Sequence, residues 1–343
     1  MATTVAVVGY GYWGPNLLRN YMEIPDTHVK WVCDKRPERL DEACARYPSV
    51  RPTTDFQDIL DDGEVDGVII ATPIPSHHSL GTASLRAGKH TFVEKPMTTS
   101  SEQAAELVDL ADKHDLILMV GHTFVFSPPV RKVKELLDQG ELGDVQFITS
   151  ARVNTGSVQK DFSVLWDMAP HDLSIIYYWL GETASDVHVT ARGCVAPDNP
   201  DVAFLRLGFA SGVIAAVDVA WLSPVKLRRT VVVGSRKMLL YDDMESAEKI
   251  RVYDHGTILK DHELFGGSQA SYGTGDVFAP ELDTVEPLYA EASHFVECIA
   301  TGRRPIADGV AGLQVVASLE AAESSLRNGR RQDVRMAELL ERA

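Results

Sequence analysis

Three short segments place reactive side chains where chemistry is possible. Glu94-Lys95-Pro96 closes the apolar run Thr91-Phe92-Val93. The proline biases Lys95 toward extended backbone, and a lysine amine in such a position can polarise a carbonyl or hold an alkoxide. A plain Glu94–Lys95 surface pair at a strand end fits the same residues. Trp166-Asp167-Met168-Ala169-Pro170-His171-Asp172 leads into the apolar stretch from Leu173 to Leu180. If a helix starts near Asp167, Pro170 falls in its first turn, Asp167 caps it, and Asp167 and His171 share a face. A first-turn histidine is kept neutral by the positive end of the helix dipole, the form that takes a proton from a secondary alcohol. A capping aspartate beside a merely satisfied histidine is the alternative, and Asp172 reads as a dipole-complementing residue. The third segment is Ala71-Thr72-Pro73, with His77 four residues on.

These segments need a scaffold, and the N-terminus supplies its signature. Val5-Ala6-Val7-Val8 runs into Gly9-Tyr10-Gly11-Tyr12-Trp13-Gly14, a G-x-G-x-x-G turn, and Asp34 follows twenty residues after the last glycine. Strand, glycine turn, helix, strand and acid form the dinucleotide-binding fingerprint. Gly9 permits the tight turn, Gly11 the approach of a pyrophosphate, and Gly14 close helix packing, while the helix N-terminus attracts the anion. Tyr12 and Trp13 lie in the same turn. Asp34 favours NAD, because its carboxylate holds ribose hydroxyls and repels a 2′-phosphate; Lys35 and Arg36 suit that phosphate, so NADP stays open. Thr72, Pro73, His77, Glu94, Lys95 and His122 sit at or just beyond the carboxyl ends of apolar runs, where open α/β sheets bind ligands.

The elements alternate up to about residue 125. Strands are predicted at 4–9, 29–33, 66–71, 90–93 and 116–121, with helices near 13–21, 37–46, 77–87 and 101–114. The last begins at Ser100, with Gln103 as a capping-box partner. This grammar gives a doubly wound α/β domain, a parallel Rossmann sheet, over 1–125. Beyond it, strand-like runs at 145–153, 187–195, 202–209, 213–222, 229–235, 238–242 and 250–253 follow one another through short turns. They predict an α+β second domain over 126–343 with a large, mostly antiparallel sheet. Helices near 286–300 and 308–327 can pack on that sheet or return to the first domain, and 262–285 reads as a long loop.

Composition narrows the function. The chain has 343 residues, 45% of them hydrophobic, and a net charge of −16. That charge opposes nucleic-acid binding but permits an anionic small ligand in a locally positive pocket. No run is long enough to span a membrane and no signal peptide is read, so the expected place is the cytoplasm. Four cysteines lack metal or disulfide spacing, and Cys33, Cys194 and Cys298 in apolar runs read as core residues. No metal-ligand spacing and no G-x-S-x-G elbow is present, so neither a metal site nor a serine hydrolase is expected.

The glycine turn, Ala71-Thr72-Pro73 with His77, Glu94-Lys95-Pro96, and Asp167 with His171, in this order, resemble the glucose–fructose oxidoreductase / inositol dehydrogenase / MocA (Gfo/Idh/MocA) family over nearly the whole chain. The resemblance implies NAD(P)-linked oxidation or reduction of a sugar, cyclitol or nucleotide-sugar. Lys95 and His171 look like the catalytic pair, with Asp167 assisting. It also implies a homo-oligomer, dimer or tetramer, formed through the open face of the second sheet. The segment 11–20 (Gly-Tyr-Trp-Gly-Pro-Asn-Leu-Leu-Arg-Asn), the 164–172 segment and Tyr241-Asp242-Asp243-Met244 look like the branch that oxidises C3 of a UDP-N-acetylhexosamine or its uronate. A 3-ketoreductase of dTDP-deoxysugars, a free-sugar or inositol dehydrogenase, and a non-catalytic cofactor-sensing regulator are the rival readings. Arg152, Asn154, Lys160 and Trp166, with Lys95, Asp167 and His171, are the residues expected to meet substrate.

Overall fold

The computed structural model describes residues 2–156, 162–254, 257–262, 267–272 and 275–336. Among them the chain divides into two compact units, one from residues 2–127, 285–320 and 335–336, the other from the described residues of 128–284 and 321–334.

In the first unit strands and helices alternate: β1 (Thr3–Val8), α1 (Gly14–Glu23), β2 (Thr27–Cys33), α2 (Pro37–Arg46), β3 (Arg51–Thr53), α3 (Gln57–Leu60), β4 (Gly67–Ile70), α4 (His77–Arg86), β5 (His90–Glu94), α5 (Ser101–Lys113) and β6 (Leu118–Gly121). The strands are parallel, in the order β3-β2-β1-β4-β5-β6. Val5, Ala6, Val7, Val68, Ile69, Ile70, Phe92 and Val93 are fully buried, as strands covered on both faces require. The order reverses between β1 and β4, and that switch point is where such sheets bind ligands. The sequence reading missed β3 and α3, which are too short to show a period. Ser100 caps α5 through the Gln103 N–H, but the Gln103 side chain takes the Thr99 hydroxyl instead of closing the capping box.

Helix α8 (Pro287–Thr301) packs on α1 and β1, burying Leu288, Ala292 and Phe295. Residues 285–320 therefore group with the first unit, and the range 126–343 does not hold as one body. Helix α9 (Gly309–Asn328) carries the division within it.

The second unit starts with α6 (Pro128–Asp138), a helix absent from the sequence reading; its two leading prolines are tolerated in a first turn. Then come β7 (Val145–Thr155), α7 (Val164–Leu180), β8 (Asp186–Arg192), β9 (Val202–Gly208), β10 (Ile214–Ala220), β11 (Leu222–Gly234), β12 (Met238–Asp242), β13 (Ile250–Tyr253), β14 (Thr257–His262), β15 (Gly267–Tyr272), β16 (Val277–Phe278) and, after α9, β17 (Gln332–Asp333). The large sheet runs β16-β13-β12-β11-β7-β10-β9-β8-β17. Only β7–β10 pair parallel among its described ladders. β14 and β15 pair with each other, so the 262–285 stretch is not one continuous loop. Helix α7 lies across β7, β9 and β10.

Two further expectations change. Helix α7 begins at Val164, with Ser163 at its N-cap, so Asp167 does not cap it. Pro170 and His171 lie inside the helix, beyond the first turn, and the dipole no longer argues for a neutral His171. Cys194 is exposed, because it falls in the turn after β8, whereas Cys33 and Cys298 are buried. Among the described residues no helix is long and apolar enough to cross a membrane, and no cluster of His, Cys, Asp or Glu is placed to hold a metal.

Candidate active site

The glycine turn links β1 to α1 at the switch point. Gly9 has φ +96°, and a Cβ there would lie 2.6 Å from the Ala71 carbonyl oxygen, so glycine lets the turn touch the loop after β4. A Cβ on Gly14 would lie 2.2 Å from the Gly9 carbonyl oxygen, whereas one on Gly11 meets nothing nearer than Arg36 Nη2 at 3.9 Å. Open space over Gly11 and an α1 N-terminus without a side-chain cap fit a pyrophosphate. Beside it Tyr12 and Trp13 stand exposed, edge to face at 5.6 Å.

Asp34 lies just past β2, buried, with its carboxylate already organised. Oδ2 accepts the Tyr10 N–H at 2.7 Å, and Oδ1 accepts the Arg36 N–H at 3.0 Å. The Arg36 guanidinium donates to both oxygens at 3.0 Å. Burial alone would raise the Asp34 pKa, but these hydrogen bonds together hold it below the usual carboxylate range. Arg36 is thus engaged with the acid, while Lys35 is exposed. The residues fit NAD: Gly11 and the α1 N-terminus for pyrophosphate, Asp34 for ribose.

Around Lys95 the loops are tied together from below. The Lys95–Pro96 peptide is cis. His77 is buried, with Nδ1 2.9 Å from the Pro96 carbonyl oxygen and Nε2 2.7 Å from that of Thr72. Burial holds its pKa down against these contacts. His77 therefore positions the loops after β4 and β5 and does not line a surface. Thr72 accepts the Ser76 hydroxyl at 2.7 Å, and Pro73 is exposed. Glu94 is buried, receives the Lys95 N–H at 3.2 Å and is pushed up to about 7 by burial, which outweighs Lys95. His122 is also buried, not in an open cleft; burial, then Lys95, pushes it down to about 3.

In the second unit, α7 is buried from Val164 to Tyr177 except at Asp167 and His171, which share one face a turn apart. The Trp221 indole N–H donates to Asp167 Oδ2 at 3.0 Å, fixing the carboxylate. Asn154, half-exposed on β7, has its side-chain oxygen near the same indole, the two flanking Gly156. Two expected substrate residues have partners in the interior. The Trp166 indole donates to Glu323 at 2.7 Å. Arg152 is buried, its Nε–H donating to Asp172 Oδ2 at 2.6 Å, while Asp172 Oδ1 accepts the Ser150 hydroxyl at 2.7 Å. Asp172 is therefore the partner of a buried arginine, not a dipole-complementing residue. Lys160 lies outside the described residues.

Residues 3–122 match the model of an oxidoreductase family with an NAD-binding Rossmann fold, and 130–240 match the GFO/IDH/MocA C-terminal domain. The chain belongs to the Gfo/Idh/MocA oxidoreductase family. Relatives in that family include UDP-N-acetylglucosamine 3-dehydrogenase of Acidithiobacillus ferrooxidans, 26% identical over 91% of this chain and 93% of that one. Another is the NAD-dependent scyllo-inositol 2-dehydrogenase of Bacillus subtilis, 26% identical over 94% of both. The solved Acidithiobacillus 3-dehydrogenase superposes with a TM-score of 0.81 at 23% identity, covering 96% of this chain and 98% of that one. This member of the Gfo/Idh/MocA family is thus an NAD-binding oxidoreductase with the expected pair of folds. Sequence reasoning missed Tyr21 and Glu291, which are buried near Glu94. A signal existed: Glu291 falls on the apolar stripe of Leu288 and Phe295, where a carboxylate is out of place.

Proposed function

We propose that the protein transfers hydride between the nicotinamide and a secondary alcohol or ketone of a nucleotide-linked sugar, at C3 of a UDP-N-acetylhexosamine or its uronate. The observation that carries the reading is α7, which is buried from Val164 to Tyr177 except at an acid and an imidazole, Asp167 and His171, half-buried on one face. Burying thirteen neighbours while leaving Asp167 and His171 half-buried suits an acid–base pair better than a structural one. Similarity to the UDP-N-acetylglucosamine 3-dehydrogenase across most of both chains supports the substrate class.

NAD bound along the glycine turn supplies the hydride acceptor or donor. The chain's residues do the rest. Lys95 holds the carbinol oxygen as negative charge develops on it. His171 takes the hydroxyl proton in oxidation and returns it in reduction. Asp167, held by Trp221, orients that exchange, and the family resemblance assigns all three to one reaction. Copies of the chain associate through the open face of the large sheet.

Purified protein offered UDP-, dTDP- and free sugars and inositols, with NAD and NADP in parallel, should turn over a UDP-amino sugar with NAD. Lys95→Ala and His171→Ala should each cut kcat by about 10²–10⁴-fold while NADH still binds. Full turnover in either variant removes that residue from the mechanism. A preference for free inositol moves the protein to the cyclitol dehydrogenases, and cofactor binding without turnover on any substrate makes it a sensor.

A further inference from the structure

Two carboxyl groups inside the first unit have no part in the hydride chemistry. Glu94 ends β5, immediately before Lys95, and Glu291 comes from α8; both are buried. One short piece of chain joins their surroundings. Gly121 is the partner of Glu94 across the β5–β6 ladder, and a Cβ there would lie 3.1 Å from the Glu94 carboxyl. Two residues on, the Thr123 hydroxyl donates to Glu291 Oε2 at 2.8 Å. Glu291 Oε1, the Tyr21 hydroxyl and both ring nitrogens of His122 are buried, with no hydrogen-bond partner among the described residues.

The groups around the two carboxyls are Tyr21 from α1, Lys95 at the end of β5, and His122 and Thr123 after β6. Lys95 is the one cation among them. Burial keeps Tyr21 and His122 neutral. Two carboxylates out of water beside a single cation do not ionise together at modest cost, so the pair retains protons near neutrality. Burial pushes Glu94 up to about 7, and burial followed by the charge of Glu94 pushes Glu291 well above its usual range.

We propose that Glu94 and Glu291 form a proton-holding carboxyl pair that couples binding of the oxidised cofactor to release of one proton. The nicotinamide ring of NAD⁺ carries a positive charge that NADH lacks, and the carboxyl end of β5 is where an open parallel sheet receives its ligand. A cation arriving there stabilises the ionised pair over the protonated one. The proton leaves to solvent as NAD⁺ binds, so protein-H plus NAD⁺ gives the complex plus H⁺, and no covalent bond other than O–H changes. NADH leaves the pair protonated. The coupling rests on the NAD-binding domain, independently of the substrate reading.

The test mixes the full chain with NAD⁺ or NADH in weakly buffered indicator dye, without substrate. Up to one proton should be released per NAD⁺ bound near neutrality, and none with NADH. The NAD⁺ Kd should tighten with rising pH by up to about tenfold per unit. Glu94→Gln and Glu291→Gln should each abolish both effects. The wild-type infrared difference spectrum on NAD⁺ binding should lose the carbonyl stretch of a protonated carboxylic acid, a readout that needs no variant. Absence of proton release and of that spectral loss overturns the proposal, as does undiminished release in both folded variants. Failure of every sugar to react would leave these results unchanged, so the two readings fail separately.

Discussion

The three glycines of the turn share a motif but not a function. Gly9 and Gly14 are required by the protein itself, since a methyl group at either would press on backbone oxygen. Gly11 faces open space, so its missing side chain serves only a ligand. Gly14→Ala should therefore destabilise the fold by about 1–3 kcal/mol through overpacking, seen as a lowered melting temperature. Gly11→Ala should melt within about 0.5 kcal/mol of wild type yet lose at least about tenfold in NADH affinity, or ~1.4 kcal/mol, by fluorescence titration. Equal effects of the two would contradict the division. The motif and Asp34 were legible because they depend on local chain geometry. The engagement of Arg36 with Asp34 was not, since the same basic side chain can answer a phosphate or a neighbouring carboxylate. Glu291 was illegible for a different reason: its significance depends on Glu94, nearly two hundred residues away.

At the level of elements, α7 shows how a helix boundary decides residue roles. Read from Asp167, the segment made that residue a cap and gave His171 a favourable dipole. Begun at Val164, it places Pro170 inside the helix, where the ring removes the N–H that would meet the Trp166 carbonyl. The face alternation survives the shift because it depends only on spacing, and so the Asp167–His171 pairing was legible while the capping was not. Asp172, one residue past His171 and so off that face, points inward to Arg152 and Ser150. Asp172→Ala should then cost about 3–5 kcal/mol by leaving a buried guanidinium uncompensated, measured by urea unfolding. Replacing both partners with apolar residues, Arg152→Met with Asp172→Leu, should recover much of that loss. If Arg152 instead serves substrate, Asp172→Ala will leave stability nearly unchanged, and Arg152→Met will raise KM alone.

For the whole molecule, the large sheet poses a surface problem that its own unit leaves unsolved. Ile148, Leu205, Val217 and Val219 are buried on one face, with α7 lying across their strands. The opposite face carries Phe147 and Ile214 side by side in register, Phe204 opposite Asp218, and Leu227 opposite Val153. Ile214 is 62% exposed and Phe204 45%, apolar side chains that flank the Arg206–Asp218 ion pair on this face, and exposed groups of this kind mark association. A net charge of −16 makes copies repel at long range, so association through this face requires apolar contact to outweigh that repulsion, and salt should favour it. Sedimentation of wild-type protein should show a dimer or tetramer that persists or strengthens as salt is raised. Phe204→Glu with Ile214→Glu adds two charges per copy on this face, and should yield monomers whose NADH affinity, which belongs to the other unit, is unchanged. A wild-type monomer, or an oligomer indifferent to both substitutions, would show that this face is not the interface.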